Sequence, residues 1–197
     1  MIHYYCCAAC IWQQKWEEIV PTSVPVMIIT GPVGVGKTTV ASEVSELLEQ
    51  AQIAHAFVDL DALRWCYPRQ PRDRFSTRLA MKNLAAVWAN FRAYGAASLV
   101  VADVIESRSE LDHYRAAIPG ADIFVVRLSA SLNTLADRLK QRELGAGLAW
   151  HLQRAPELTA IMERNKVEDL LVTTDGKTVA QIAREILQHT RWMKWDE

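Results

Sequence analysis

The chain has 197 residues, half of them hydrophobic and 23% charged, enough apolar material for the core of one domain and too much for a disordered chain. Its 22 Lys and Arg against 23 Asp and Glu leave a net charge of −1, so no whole-chain electrostatic argument points to nucleic acid or an anionic membrane surface. No apolar stretch reaches the roughly 18 residues of a membrane-spanning helix, and no basic segment precedes the N-terminal apolar run, so a cytoplasmic protein is expected.

Residues 1–25 read as an N-terminal extension, closed by Pro21 and Pro25, which disfavour a continuous helix. Cys6, Cys7 and Cys10 crowd this extension and Cys66 stands alone, a usage that suits a reduced compartment. With His3 the three form a weak metal candidate, because the second ligand pair of a zinc knuckle is missing. Residues 26–30 (Val26, Met27, Ile28, Ile29, Thr30) are a short apolar run before a glycine-rich turn, as in a buried parallel strand. Val40, Val44, Leu47 and Leu48 recur at helical spacing and predict an amphipathic helix over 37–50.

A second strand is expected over 54–58. Leu84, Val87, Trp88 and Phe91 mark one face of a helix that ends near Gly95. Residues 98–102 form the third strand, with Asp103 just past its carboxyl end. Ser107 and Glu110 have capping-box spacing and start a short helix that stops before Pro119 and Gly120. Residues 123–128 are the fourth strand, and Leu132, Leu135 and Leu139 give the next helix its seam. Residues 170–173 are the fifth strand. Thr178 and Gln181 cap a last helix whose inner face is Val179, Ile182, Ile186 and Leu187. Five strands alternating with helices predict a three-layer α/β domain over 26–190 around a parallel sheet, followed by a tail of residues 191–197.

The strongest signal is Gly31-Pro32-Val33-Gly34-Val35-Gly36-Lys37-Thr38, a complete G-x-x-x-x-G-K-[ST] between a predicted strand and a predicted helix. Glycines let the backbone curl until successive N–H groups surround phosphate oxygens, and the following helix adds its N-terminal positive end. Gly31, Val33, Gly34, Val35, Gly36, Lys37, Thr38 and Thr39 are therefore the candidate nucleotide site. Lys37 would meet the β- and γ-phosphates and the Thr38 hydroxyl would ligate Mg²⁺. ATP is the expected nucleotide. Asp103, after an apolar strand, has the Walker B form and is the candidate second support for the metal; an ordinary turn aspartate explains it too.

The second strand ends in Val58-Asp59-Leu60-Asp61-Ala62-Leu63-Arg64-Trp65. In an open parallel sheet the carboxyl ends of the strands border one crevice, so this tip faces the phosphate loop. Two carboxylates there suit phosphoryl transfer. One orients Mg²⁺ and its waters while the other takes a proton from an acceptor hydroxyl, and the two can exchange roles, with Asp61 placed nearer the acceptor. Arg64 would hold a polar or anionic group and Trp65 would be an apolar wall. A solvated, helix-capping turn is the bland alternative.

The phosphate loop, Asp59-x-Asp61-x-x-Arg64 and the chain length resemble the small P-loop kinases, adenylylsulfate kinase most closely, with gluconate and shikimate kinases and chloramphenicol phosphotransferase more distant. The whole chain is also similar to bacterial ATP-binding proteins of this superfamily. The resemblance implies a P-loop NTPase fold with sheet order 2-3-1-4-5, helices on both faces, and transfer of a γ-phosphoryl group to a hydroxyl. It spans about residues 26–190 in layout, but only the phosphate loop and Asp59–Arg64 match closely. Leu60 replaces the family's glycine, so the acceptor carries over less well than the chemistry.

Arg69, Arg72 and Arg74 follow Arg64 among prolines and aromatics; they suit an anionic group on the acceptor or a solvated loop equally. Glu106 and Arg108 lie in the third strand-to-helix loop, where the resemblance implies acceptor binding; a capping segment explains them as well. Arg138 and Arg142 are one turn apart on one helix face, and Gly145 and Gly147 behind them would hinge a short lid near 138–155. The resemblance places lid arginines here as charge stabilisers, while an exposed helix face is the alternative. The expected partner is a small hydroxyl compound that can carry an anionic group, with no nucleic acid and no membrane. A nucleotide-dependent switch without an acceptor, and a polynucleotide 5′-hydroxyl kinase, are the competing functions.

Overall fold

The computed structural model describes residues 23–73, 75–190 and 192. The Cys6, Cys7 and Cys10 cluster, the extension up to residue 22, Arg74 and most of the 191–197 tail lie outside the described residues.

Strands β1 (Val24–Thr30), β2 (His55–Asp59), β3 (Ser98–Ala102), β4 (Ala121–Ser129) and β5 (Leu170–Thr173) form one parallel sheet in the order β2-β3-β1-β4-β5. Among the described residues the helices, in chain order, are α1 (Lys37–Gln50), the single turn α2 (Leu60–Leu63), α3 (Thr77–Ala93), α4 (Leu111–Ala117), α5 (Leu132–Arg142), α6 (Gly145–Asn165) and α7 (Val179–Gln188). A 3₁₀ turn at Arg108–Glu110, capped by Ser107 and Glu110, leads into α4.

The two-residue period of β1 explains the three layers. Val24, Val26 and Ile28 face a core with Leu84 and Trp88 of α3, Tyr114 of α4 and Met162 of α6. Met27 and Ile29 face the opposite core with Val44 of α1, Leu135 of α5 and Ile186 of α7. Strands buried on both faces read as unbroken apolar runs, which is how β1 and β3 read.

β1 begins two residues earlier than its apolar run suggests and contains Pro25. A proline cannot donate to a ladder, yet it is tolerated here because β1 pairs only with β4 at this end; pairing with β3 starts at Val26. The larger departure is α6. Residues 138–155 are the end of α5, the two-residue link Glu143–Leu144 and the first half of a 21-residue helix, so Gly145 opens that helix and Gly147 lies inside it. Among the described residues no helix is long and apolar enough to cross a membrane.

Candidate active site

The carboxyl ends of β1, β2 and β3 open onto one crevice, and the phosphate loop between β1 and α1 forms its floor. The loop is held by its neighbours as well as by its own glycines. A Cβ at Gly31 would come within 2.5 Å of the Leu128 carbonyl oxygen, and one at Gly34, where φ is +85°, within 2.9 Å of Leu139 Cγ. Only glycine lets β4 and α5 press this closely on the loop. Arg138 of α5 donates to the Val35 carbonyl at 3.0 Å and to Thr174 Oγ1 at 3.1 Å, tying the loop to the turn after β5. The face shared by Arg138 and Arg142 is therefore divided: Arg138 braces the loop, whereas Arg142 pairs with Glu143.

Lys37 Nζ donates to the carbonyls of Gly31 at 3.1 Å and Pro32 at 3.4 Å. Burial lowers the pKa of its ammonium, and the nearby Asp61, Asp103 and Asp59 carboxylates oppose that shift. Thr38 Oγ1 donates to Asp59 Oδ2 at 2.7 Å, and Asp59 Oδ1 accepts the backbone N–H of Asp61 at 3.0 Å, which caps α2. Thr39 is exposed on the first turn of α1, whereas Val35 is buried and Val33 half-buried. The curled loop with its lysine fits a nucleoside triphosphate, and the adjacent hydroxyl and carboxylate of Thr38 and Asp59 fit Mg²⁺, a hard cation that takes oxygen ligands.

Asp103 differs from expectation. Only 5% of it is exposed. Its Oδ1 accepts from Arg64 Nη2 and its Oδ2 from Tyr114 Oη, both at 2.6 Å. Burial raises its pKa against the opposing effects of Arg64 and Tyr114. With both oxygens engaged, Asp103 anchors Arg64, and it is Asp59 that stands beside the Thr38 hydroxyl.

α2 carries the residues that the sequence reading expects to face an acceptor. Its end is fixed to α3 by Asn83, which donates to the Leu63 carbonyl at 2.8 Å. The Asp61 side chain is 68% exposed and its Oδ1 lies 3.4 Å from Arg64 Nε. Asp61, Arg64, Trp65 and Lys37 line one cavity of about 860 Å³. Glu106 and Glu110 join them from the segment after β3, and Trp150, His151 and Arg154 from α6.

Glu106 pairs with Arg154, which also reaches Glu157 at 3.2 Å. Glu110 Oε1 accepts from the backbone of Glu106 and of Ser107, each at 2.9 Å, and burial raises its pKa. Arg108 is not brought to the cavity. It donates to the Val167 carbonyl at 3.1 Å and to Asp169 Oδ1 at 3.0 Å, fastening the loop after β3 to the segment before β5.

Sequence reasoning missed the residues of α6. Trp150 and Arg154 are spaced i,i+4, a signal for one helix face, but Gly145 and Gly147 just before them suggested a lid hinge instead. Among the described residues no three His, Cys, Asp or Glu side chains gather into a metal cluster.

The model of one protein family, described as an AAA domain, matches residues 27–150. The chain belongs to this AAA domain family. Solved structures place the AAA domain protein among folds of small P-loop kinases. A gluconokinase from Sinorhizobium meliloti 1021 is 24% identical, with 83% of this chain and 90% of that one covered at a TM-score of 0.57. The Mycobacterium tuberculosis APS kinase, in complex with AMPPNP and APS, is 23% identical over 85% of this chain and 98% of its own, with a TM-score of 0.56. Shikimate kinase from Acinetobacter baumannii, in complex with shikimate, is 20% identical over 85% and 95%, with a TM-score of 0.53. At these identities the likeness establishes the fold, a five-stranded P-loop NTPase sheet. No curated protein matches the sequence.

Proposed function

We propose that this AAA domain protein is an ATP-dependent kinase that transfers the γ-phosphoryl group to a hydroxyl of a small molecule. The observation that carries the reading is the division of labour at the end of β2. Asp59 is bonded to Thr38 on the nucleotide side, while Asp61, two residues on, opens into the cavity that Lys37 also lines. The kinase names of the solved relatives support it, one of them holding a nucleotide analogue together with an acceptor.

In this reading the backbone N–H groups of the phosphate loop and the Lys37 ammonium hold the β- and γ-phosphates. Thr38 and Asp59 would hold Mg²⁺, whose charge would offset that of the phosphates. Asp61 accepts the proton as the acceptor oxygen bonds to the γ-phosphorus; the bond from that phosphorus to the β,γ-bridging oxygen breaks and ADP leaves. Arg138 acts through the loop it braces, as a positioning residue. Arg64, held by Asp103, keeps a cation beside Asp61. The narrower form, an adenylylsulfate-like acceptor, is supported by Asp59, Asp61 and Arg64 alone, and buried Leu60 occupies the place of the family's glycine.

The test is phosphoryl transfer from Mg–ATP to a panel of metabolite hydroxyls, followed by ³¹P NMR, with the Lys37→Ala variant as control. Transfer is expected in the parent and abolished in the variant, which should keep its fold. Undiminished turnover without Lys37, or ATP hydrolysis with no acceptor phosphorylated, would reject the kinase reading in favour of a nucleotide-dependent switch.

A further inference from the structure

The acceptor half of the cavity has a composition that the kinase reading does not itself require. Trp65, Phe75 and Trp150 all line it, and they are 87%, 51% and 46% exposed. They come from three separate segments: the residue after the α2 cap, the turn before α3, and the face of α6 above Leu158. They are not spare core residues, because α3 and α6 already bury Leu84, Trp88, Leu158 and Met162 beneath them. Large aromatic surface left in water around a concave site marks the place of an apolar ligand group. Trp150 is further oriented by His151, whose ring meets it nearly edge-on with centroids 4.8 Å apart.

The charges of the cavity are largely spoken for. Arg64 is held by Asp103 and lies beside Asp61, its Nε keeping no hydrogen-bond partner, Arg154 is held by Glu106 and Glu157, and Glu110 by two backbone N–H groups. Lys37 belongs to the phosphate loop. Besides Lys37, Arg69 is the one lining cation with no carboxylate partner among the described residues, and it is exposed on the rim. An anionic acceptor would find a cation without a carboxylate partner only at the phosphate loop or at Arg69 on the rim, and a polyol would cover the aromatic walls less fully than a flat ring does.

We infer that the acceptor is a neutral hydroxyl compound bearing a planar aromatic ring, which Trp65, Phe75 and Trp150 receive while the hydroxyl faces Asp61. The inference rests on the kinase reading for that hydroxyl, but its test reads binding and not turnover. The protein saturated with Mg–ADP is titrated with thymidine, 2-phenylethanol and phenyl β-glucoside, and with glucose, gluconate and shikimate as ring-free or anionic counterparts. Saturation-transfer NMR and calorimetry follow the binding.

At least one aromatic probe is expected to bind at least about tenfold more tightly than its counterparts, with transfer strongest at the ring protons. Trp65→Ala and Trp150→Ala should each weaken that probe about five- to a hundredfold, the range of single stacking contacts, without moving Mg–ADP affinity. Gluconate, shikimate or glucose binding as tightly as the aromatic probes would overturn the inference, and so would the absence of binding by every aromatic probe or unaltered binding in both variants. Loss of the kinase reading would appear separately, as failed phosphoryl transfer in the metabolite panel with aromatic binding intact.

Discussion

The Tyr114 hydroxyl donates to Asp103 Oδ2 at 2.6 Å, behind the wall of the cavity, where both side chains are almost completely enclosed. The other oxygen of the same carboxylate holds Arg64 at 2.6 Å, and Arg64 in turn lies beside Asp61. A buried tyrosine on α4 therefore fixes, through two side chains, the cation next to the proposed base. Burial and the neighbouring Asp103 charge push the Tyr114 phenol well above its ordinary range, so it stays a donor throughout the working pH range.

Tyr114→Phe keeps the ring in the core but leaves Oδ2 buried and unsatisfied. The expected cost is about 1–3 kcal/mol of stability, read as a lower midpoint in urea at unchanged slope. Turnover should fall with little change in nucleotide affinity, because Arg64 is loosened while the phosphate loop is untouched. A variant as stable and as active as the parent would show that the hydrogen bond carries neither burden.

Gly34 tests the loop from the opposite side. An alanine there would place Cβ 2.9 Å from Leu139 Cγ at a φ of +85°. Gly34→Ala should distort the cradle, cost about 1–3 kcal/mol, and weaken Mg–ATP binding by more than it lowers the melting temperature alone would suggest. Calorimetric titration of nucleotide against a folded variant decides this. Parent-like affinity would mean that the loop does not hold phosphate in this conformation.

The parts of the fold that were legible in the sequence are those written in periodicity and capping. β1 and β3 are continuous apolar runs, α7 carries its capping box, and the phosphate loop is a contiguous motif whose chemistry is local. α6 was not legible, because Gly145, Gly147 and Pro156 argue against a helix and only tertiary packing of Ala155, Leu158 and Met162 overrides them. The surroundings of Asp103 were not legible for a related reason. A strand-end aspartate looks the same in sequence whether it faces a metal or a buried arginine, and its partners Arg64 and Tyr114 are 39 and 11 residues away. Asp59 closes β2, and its hydrogen bond to Thr38, which no sequence pattern shows, separates it from Asp61.

The junction between α5 and α6 should be sensitive to acid. Glu143 joins Arg142 to His151, and although its partial burial acts the other way, Arg142 and His151 hold its carboxyl below the ordinary glutamate range. A carboxyl depressed in the folded state stabilises above its unfolded pKa, and that contribution is lost as pH falls through the folded value. Hydrogen exchange at residues 143–151 should thus quicken relative to the sheet as pH is lowered across the carboxylate range, about pH 5 to 3, after correction for intrinsic rates. Glu143→Gln should remove that pH dependence. An identical acid response in the parent and the Gln variant would assign it to other carboxylates.

The two aspartates at the end of β2 are separable by their Asn variants, because the replacement keeps size and much of the hydrogen bonding but removes charge and basicity. Asp59 accepts from Thr38 at 2.7 Å and also caps α2 at 3.0 Å. Asp59→Asn should raise the Mg²⁺ concentration needed for half-maximal activity, since the amide is a poorer ligand for a hard cation, with a smaller effect on acceptor KM. Asp61 makes neither of those side-chain contacts and opens into the cavity. Asp61→Asn should leave Mg–ATP affinity within about twofold and lower kcat for phosphoryl transfer by about 10²–10⁴, the usual range for general-base assistance. Measuring Mg²⁺ dependence and kcat for both variants with one acceptor gives four numbers and one crossing pattern. If the Mg²⁺ effect falls on Asp61 and the kcat effect on Asp59, the roles are exchanged. If both variants transfer phosphate at the parent rate, the pair serves only to shape the turn after β2, and the base must be sought at Glu106, whose ion pair with Arg154 would then have to open.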